Sequence, residues 1–285
     1  MVTGDPFGLF EVQRHISATS RLVVYPPIVS IAEFALPIGI LPGGDALRRR
    51  THHITANAAG VREYAPGDSF SRIHWKSTAR RDRLIVKEFE LDPLADIWIM
   101  MDADRTVHVG EYAPTDAEAE AMPWETAAQF TLPAATEEYV VAIAASLANF
   151  FLQRDRAVGF ATYGQSHEVI QVDRGSRQLT KILETLAVIR AQGTVSLGQM
   201  LTMEGDQLSR GTTMIVITPS VREEWVAAAQ RLMRRGLRVI AVLVDPESFG
   251  GRAGAARTAG LLAAVGIPSY IVREGDDLRV ALSHR

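Results

Sequence analysis

The chain has 285 residues, a net charge of −3 and no cysteine. Apolar residues make up 47% and charged residues 22%, the balance of an ordinary globular chain with one large domain, or a domain and an arm. This excludes disulfides, thiolate metal sites and thiol catalysis, and leaves no bulk charge to attract nucleic acid or an anionic membrane.

In chain order, the start MVTGDPFGLF lacks the basic and apolar regions of a signal peptide. It opens directly on strand-like sequence, which suggests a piece of a longer protein. Residues 5–40 read as β, with Pro26-Pro27 marking an edge or kink because neither proline can donate to a ladder. A loop rich in Gly and Pro follows, with Arg48–Arg50 as a solvated run. The next stretch, VREYAPGDSFSRIHWKSTARRDRLIVKEFE from Val61 to Glu90, is the most distinctive in the chain. It reads as a strand at Val61–Tyr64, a Pro-Gly turn, a cap at Asp68 or Ser69, a short helix over Ser71–Arg80 and a strand at Leu84–Phe89. Arg72, Lys76 and Arg80 then share one helix face.

From Asp96 the pattern changes. DIWIMM is a continuous apolar run, as expected of a strand covered on both faces, and it ends in Asp102. Residues 107–134 predict a long loop. Thr136 is placed to cap a helix over Glu137–Arg154. A hairpin at 158–172, an amphipathic helix over Ser176–Arg190, a Gly193-Thr194 loop and a helix from Leu197 come next. Three β–α units complete the chain, with strands at Thr213–Ile217, Arg238–Val244 and Ser269–Val272. The apolar run Tyr139–Leu152 is shorter than the ~18–20 residues a membrane helix needs, and is expected to be a buried helix. The fold class is therefore α/β: a doubly wound, mostly parallel sheet with an N-terminal β-rich arm. The expected divisions are a β-rich arm or partial β-sandwich over 1–60, a signature segment over 61–95 and the α/β domain over 96–285.

The strand ending in Asp102, followed by helix, hairpin, helix, Gly-Thr loop and β–α units, resembles the plan of a von Willebrand factor A-type domain. That family carries a metal-ion-dependent adhesion site: D-x-S-x-S after the first strand, a later Thr, and an Asp after the fourth strand. Carboxylate and hydroxyl oxygens there suit Mg²⁺. Asp102, Asp104, Thr106 and Thr194 match the first two elements, with Asp104 and Thr106 standing where the serines would be. Pro219 stands where the last Asp is expected, and Arg105 sits within the cluster as a possible substitute for the cation. The alternative is that the two aspartates satisfy loop amides at a strand end. The stretch from Val61 to Glu90 resembles the signature of bacterial proteins called domain of unknown function 58, through Arg62, Tyr64, Pro66, Gly67, Asp68, Arg72, Ile73, His74, Trp75, Lys76, Arg80, Val86, Glu88, Phe89 and Glu90.

That resemblance implies a longer protein anchored by N-terminal membrane helices, with this region at the cytoplasmic face. It also implies partnership with MoxR-type AAA+ ATPases and transglutaminase-like proteins, and a binding or assembly role. Two further classes stand beside a non-catalytic protein-binding module: a metal-assisted hydrolase of a phosphorylated ligand, and a purely structural subunit. Arg72, His74, Trp75, Lys76 and Arg80 form a basic, aromatic cluster that would suit an anion or acidic partner. The competing reading makes them a structural latch with Trp75 buried; nucleic acid is not expected. His52, His53, His108 and His167 lack metal-ligand spacing and read as surface or loop residues.

Overall fold

Strands apolar at every position need cover on both faces. β5 (Ile97–Met101), β6 (Val158–Tyr163) and β8 (Thr213–Thr218) are buried along their whole length. In the computed structural model, which describes residues 2–4, 11–13, 23–35, 58–64, 73–81, 83–89, 96–110 and 132–283, they occupy the middle of a six-stranded sheet. Its order is β10-β9-β8-β5-β6-β7, with β7 (His167–Asp173), β9 (Arg238–Val244) and β10 (Ser269–Val272) completing it. All neighbours run parallel except β7, which returns antiparallel to β6. The expected doubly wound, mostly parallel sheet is present. Its order reverses between the adjacent strands β5 and β8, and the crevice beyond the C-terminal ends at such a switch point is where open α/β sheets bind ligands.

Alternation divides the strands between two cores. Ile97, Ile99, Met101, Phe160, Ile215, Ile217, Ile240 and Val242 face α2 (Thr136–Leu152) and α3 (Ser176–Val188). Trp98, Met100, Met214, Val216 and Ala241 face α4 (Leu197–Gly205), α5 (Glu224–Arg234) and α6 (Ala255–Ala264). α4 opens with a capping box: Gln199 N–H donates to Ser196 Oγ, and Ser196 N–H to Gln199 Oε1. A short α7 (Leu278–Ala281), capped by Asp277, closes the fold. No described helix is long and apolar enough to cross a membrane.

α2 is buried on nearly every side, and the reason is a segment read from sequence as β. Residues 23–35 form no strand; they run as an extended strap across α2. Val29 N–H donates to Ser146 Oγ (2.9 Å), and Ala35 N–H to the Tyr270 hydroxyl (3.0 Å). Phe34 stacks on Tyr270 (4.7 Å between centroids) and meets Phe151 edge-on at 5.9 Å. Ile31 and Phe34 thereby join the core of the sheet domain.

Two small antiparallel pairs lie outside the main sheet: β1 (Val2–Gly4) with β2 (Glu11–Gln13), and β3 (Ala58–Glu63) with β4 (Ile85–Phe89). Between β3 and β4, α1 covers Trp75–Arg81, beginning four residues later than expected. His74 supplies its start, with Nδ1 accepting from the Ser77 amide. The expected caps Asp68 and Ser69 lie outside the described residues, as do 111–131 of the expected long loop. Trp75 is 66% exposed, so the latch reading fails in its central residue. Ile73, Ile85 and Val86 supply the buried contacts instead. Thr136 is also not a cap. Its hydroxyl bonds the backbone of Val109, while Ala135 takes the cap position without a side-chain bond.

Candidate functional site

The switch-point edge is built on the first residue past β5. Asp102 N–H donates to Ile217 O of β8 (2.9 Å), so the ladder carries Asp102 into the interior. Its carboxylate is almost fully buried and both oxygens are engaged. Oδ1 accepts from Asp104 N–H (3.0 Å) and Oδ2 from the Thr218 hydroxyl (2.6 Å). His108 Nε2–H donates to the Asp102 carbonyl (2.9 Å), and its Nδ1 lies 3.2 Å from Thr136 Oγ1. His108 is thus a buttress of this edge rather than a surface histidine. Two imidazole contacts far apart in sequence carry no spacing signal.

Burial pushes the Asp102 carboxyl above its ordinary 3.8. His108, the Thr218 hydroxyl and the Asp104 amide oppose that rise, and the Asp104 carboxylate adds to it. A folded value above the unfolded one means that the native state holds the extra proton in the window between them. Stability therefore falls as pH rises from 3.8 through the folded value, and the cost of the buried charge is fully present above it. Asp102→Asn is expected to remove this contribution, flattening the acid side of a stability–pH profile measured by urea unfolding. An unchanged profile would show that Asp102 does not titrate with folding.

A second layer lies above the first. Asp104 Oδ1 accepts from both the amide (2.9 Å) and the hydroxyl (2.7 Å) of Thr106. Arg222 Nη1 lies 3.4 Å from Asp104 Oδ2, and Arg222 Nη2–H donates to Thr106 Oγ1 (2.9 Å). The loop after β8 holds Arg222 in place. Ser220 N–H donates to Thr218 Oγ1 (2.8 Å), Arg222 N–H donates to Ser220 Oγ (3.4 Å), and Trp225 Nε1–H donates to Ser220 O (3.2 Å).

The Gly193-Thr194 loop closes the third side. Gly193 N–H donates to Ala103 O (2.9 Å) and Arg105 N–H to Gly193 O (3.1 Å). A Cβ at Gly193 would overlap the Tyr163 carbonyl oxygen and lie 2.8 Å from that of Ala103, so only glycine permits this approach. Thr194 follows it with an exposed side chain.

The structure therefore brings Asp102, Asp104 and Thr106 together and sets Thr194 beside them through the backbone. The cation whose side chain meets Asp104 and Thr106 is Arg222, while Arg105 joins the cluster through its backbone N–H to Gly193 O. Sequence reasoning stopped at Pro219, where the Asp was missing. The compensating groups are its neighbours: Thr218 one residue before it and Arg222 three after.

These residues are a poor fit for Mg²⁺, because the Arg222 guanidinium already supplies a positive charge beside Asp104 and Thr106 and a second cation there would be repelled. Both Asp102 oxygens already accept from protein donors, and a guanidinium occupies the space beside Asp104 and Thr106. Among the described residues no group of three or more His, Asp or Glu is arranged to hold a metal.

The basic cluster is only partly described, since Arg72, His52 and His53 lie outside the described residues. His74 caps α1, and Trp75, Lys76 and Arg80 are exposed on it. His167 stacks on Tyr163 at 4.0 Å and lies 3.4 Å from Glu204. Glu204 also accepts from the Tyr163 hydroxyl (2.6 Å), which burial and this carboxylate push up to about 12.

A family model described as protein of unknown function DUF58 matches residues 60–132. Over those residues the chain is similar to that family. The DUF58 segment runs from β3 through β5 to Asp102, Asp104, Thr106 and His108; Gly193, Thr218 and Arg222 lie beyond it. The uncharacterized protein YeaD of Bacillus subtilis is 24% identical over 232 residues, covering 80% of this chain and 50% of that protein. The chain thus spans about half the length of that relative. Among solved structures, the conserved hypothetical protein BatB from Bacteroides thetaiotaomicron is 15% identical with a TM-score of 0.43, over 66% of this chain and 95% of that one. Proximal thread matrix protein 1 from the mussel byssus is 12% identical with a TM-score of 0.43, over 66% and 46%. Neither structural likeness is close, and the fold rests on the strand order itself.

Proposed function

We propose that this chain is a non-catalytic protein-binding or assembly module that docks its partner on the C-terminal edge of the sheet. The observation that carries this reading is a hydrogen-bonded polar cluster at the topological switch point with a groove beside it. The groove, about 770 Å³, lies between α4 and α5 and begins at Val195 and Ser196, beside Thr194. Glu224, which lies 3.8 Å from Arg222, lines it on the other side. A polar rim with an adjoining groove suits a protein segment. The hydrolase alternative requires a metal at Asp102 and Asp104, beside which the Arg222 guanidinium already stands.

The partner class is a MoxR-type AAA+ ATPase, on the strength of the signature over residues 61–90. The chain would act at the cytoplasmic face of a membrane as part of a longer anchored protein. Binding of the purified ATPase from the same genome, measured by biolayer interferometry, tests this. Thr194→Arg and Met203→Glu alter exposed positions on the rim and groove. Each is expected to weaken binding about tenfold, or about 1.4 kcal/mol, with an unchanged melting temperature. Equal binding by both variants would place the interface elsewhere.

A further inference from the structure

We infer that the Arg222 guanidinium is the built-in cation of this edge, and that it captures a carboxylate of the partner protein without a divalent metal. The inference rests on the edge being the docking surface and supplies the chemistry of the group recognised there. Charge at the edge is layered. The carboxylates of Asp102 and Asp104 lie beneath, 2% and 4% exposed. The guanidinium of Arg222, its side chain 42% exposed, lies above them. Arg105 and Arg190 are exposed on the same rim, with Arg190 held 3.6 Å from Glu137. The face that a partner meets therefore presents three guanidinium groups and one well-exposed carboxylate, that of Glu224, above the two buried aspartates.

The guanidinium is also oriented. It carries five N–H donors in a planar fork. One nitrogen faces Asp104 and another donates to Thr106, which fixes the plane and leaves donors facing solvent. A fork held in this way can take a carboxylate in two parallel hydrogen bonds at little further loss of side-chain entropy. Loop bonds from Ser220, and from Trp225 to Ser220, immobilise the backbone that bears it. Glu224, 3.8 Å from Nη1, is the internal competitor, and with its side chain 60% exposed the pair it forms is a weak, solvent-screened one. The nearby carboxylates of Asp104 and Glu224 disfavour a doubly charged ligand by repulsion. A singly charged carboxylate therefore suits the site better than a phosphate.

The test is binding of a surface-tethered glutamate-rich peptide to the full chain, with a glutamine-rich peptide and a phosphoserine-containing peptide for comparison. Each is measured with EDTA and with added MgCl₂. Wild type should bind the glutamate peptide equally in both buffers and ignore the glutamine peptide. Arg222→Gln should lose about tenfold or more, the scale of one charge-assisted hydrogen bond, and Arg222→Lys should recover part of it. Thermal melting of each variant guards against simple unfolding. Binding that needs MgCl₂, equal binding by a folded Arg222→Gln variant, or tighter binding of the phosphoserine peptide would each overturn the inference. If the ATPase binds through Thr194 and Met203 yet ignores Arg222→Gln, the docking reading survives and this inference fails. If the glutamate peptide behaves as expected and the ATPase does not bind, the inference stands and the partner assignment falls.

Discussion

Trp225→Ala is expected to destabilise the chain by about 3–5 kcal/mol, the range for deleting a large buried aromatic side chain. Trp225 is fully buried in the core formed with α4, β8 and β9. It is also the only described side chain that donates to Ser220 O, so its loss leaves that carbonyl without the bond and frees the loop that follows Thr218 and bears Arg222. The core and the edge should therefore fail together. Trp225→Phe separates the two effects. It keeps most of the apolar volume and removes the N–H, and is expected to cost about 1–3 kcal/mol for the unsatisfied acceptor. Urea unfolding monitored by circular dichroism gives both values. A Trp225→Ala loss below that of Trp225→Phe would show that the indole does not pack as described.

Phe34→Ala is the second large effect, also about 3–5 kcal/mol at its upper range. The strap 23–35 has no ladder of its own. Ordering an extended backbone costs about 1–2 kcal/mol per residue, so the strap stays in place only through its anchors. Phe34 is the principal one, with Tyr270 on one face and Phe151 at its edge; Ile31 and the bonds to Ser146 and Tyr270 add to it. With Phe34 truncated, the strap should release before the sheet unfolds, a local opening that bares the outer side of α2. Limited proteolysis should then cut within 23–35 while the sheet domain remains intact. Resistance equal to wild type would mean that the remaining anchors suffice.

The sheet domain was legible because its signals are local. A run such as Ile97–Met101 is apolar at every residue and has one structural meaning once helices flank it. The capping box at Ser196 and Gln199 lies within four residues of sequence. The amphipathic period of α3 puts Ile182, Leu183 and Leu186 on one face. What was not legible depends on contacts distant in sequence. The strap has β-like composition because extended backbone and β-strand share residue preferences, and nothing local says that its partners are Ser146 and Tyr270. The latch reading placed Trp75 inside, yet Ile73 takes the buried place and the indole is 66% exposed. Asp102 and Asp104 were found through the resemblance to the adhesion-site motif that follows the first strand of a von Willebrand factor A-type domain. The two groups that answer them, Thr218 and Arg222, come from a different strand end more than a hundred residues on. A motif search keyed to an expected Asp sees only Pro219 there.

An edge closed by its own hydroxyl and guanidinium groups, and not by a divalent cation, should take up no Mn²⁺. Electron paramagnetic resonance of free Mn²⁺ during titration with the wild-type chain tests this most directly. The free-ion signal should remain undiminished as protein is added. A saturating loss of signal at one ion per chain, abolished by Asp104→Asn, would contradict it.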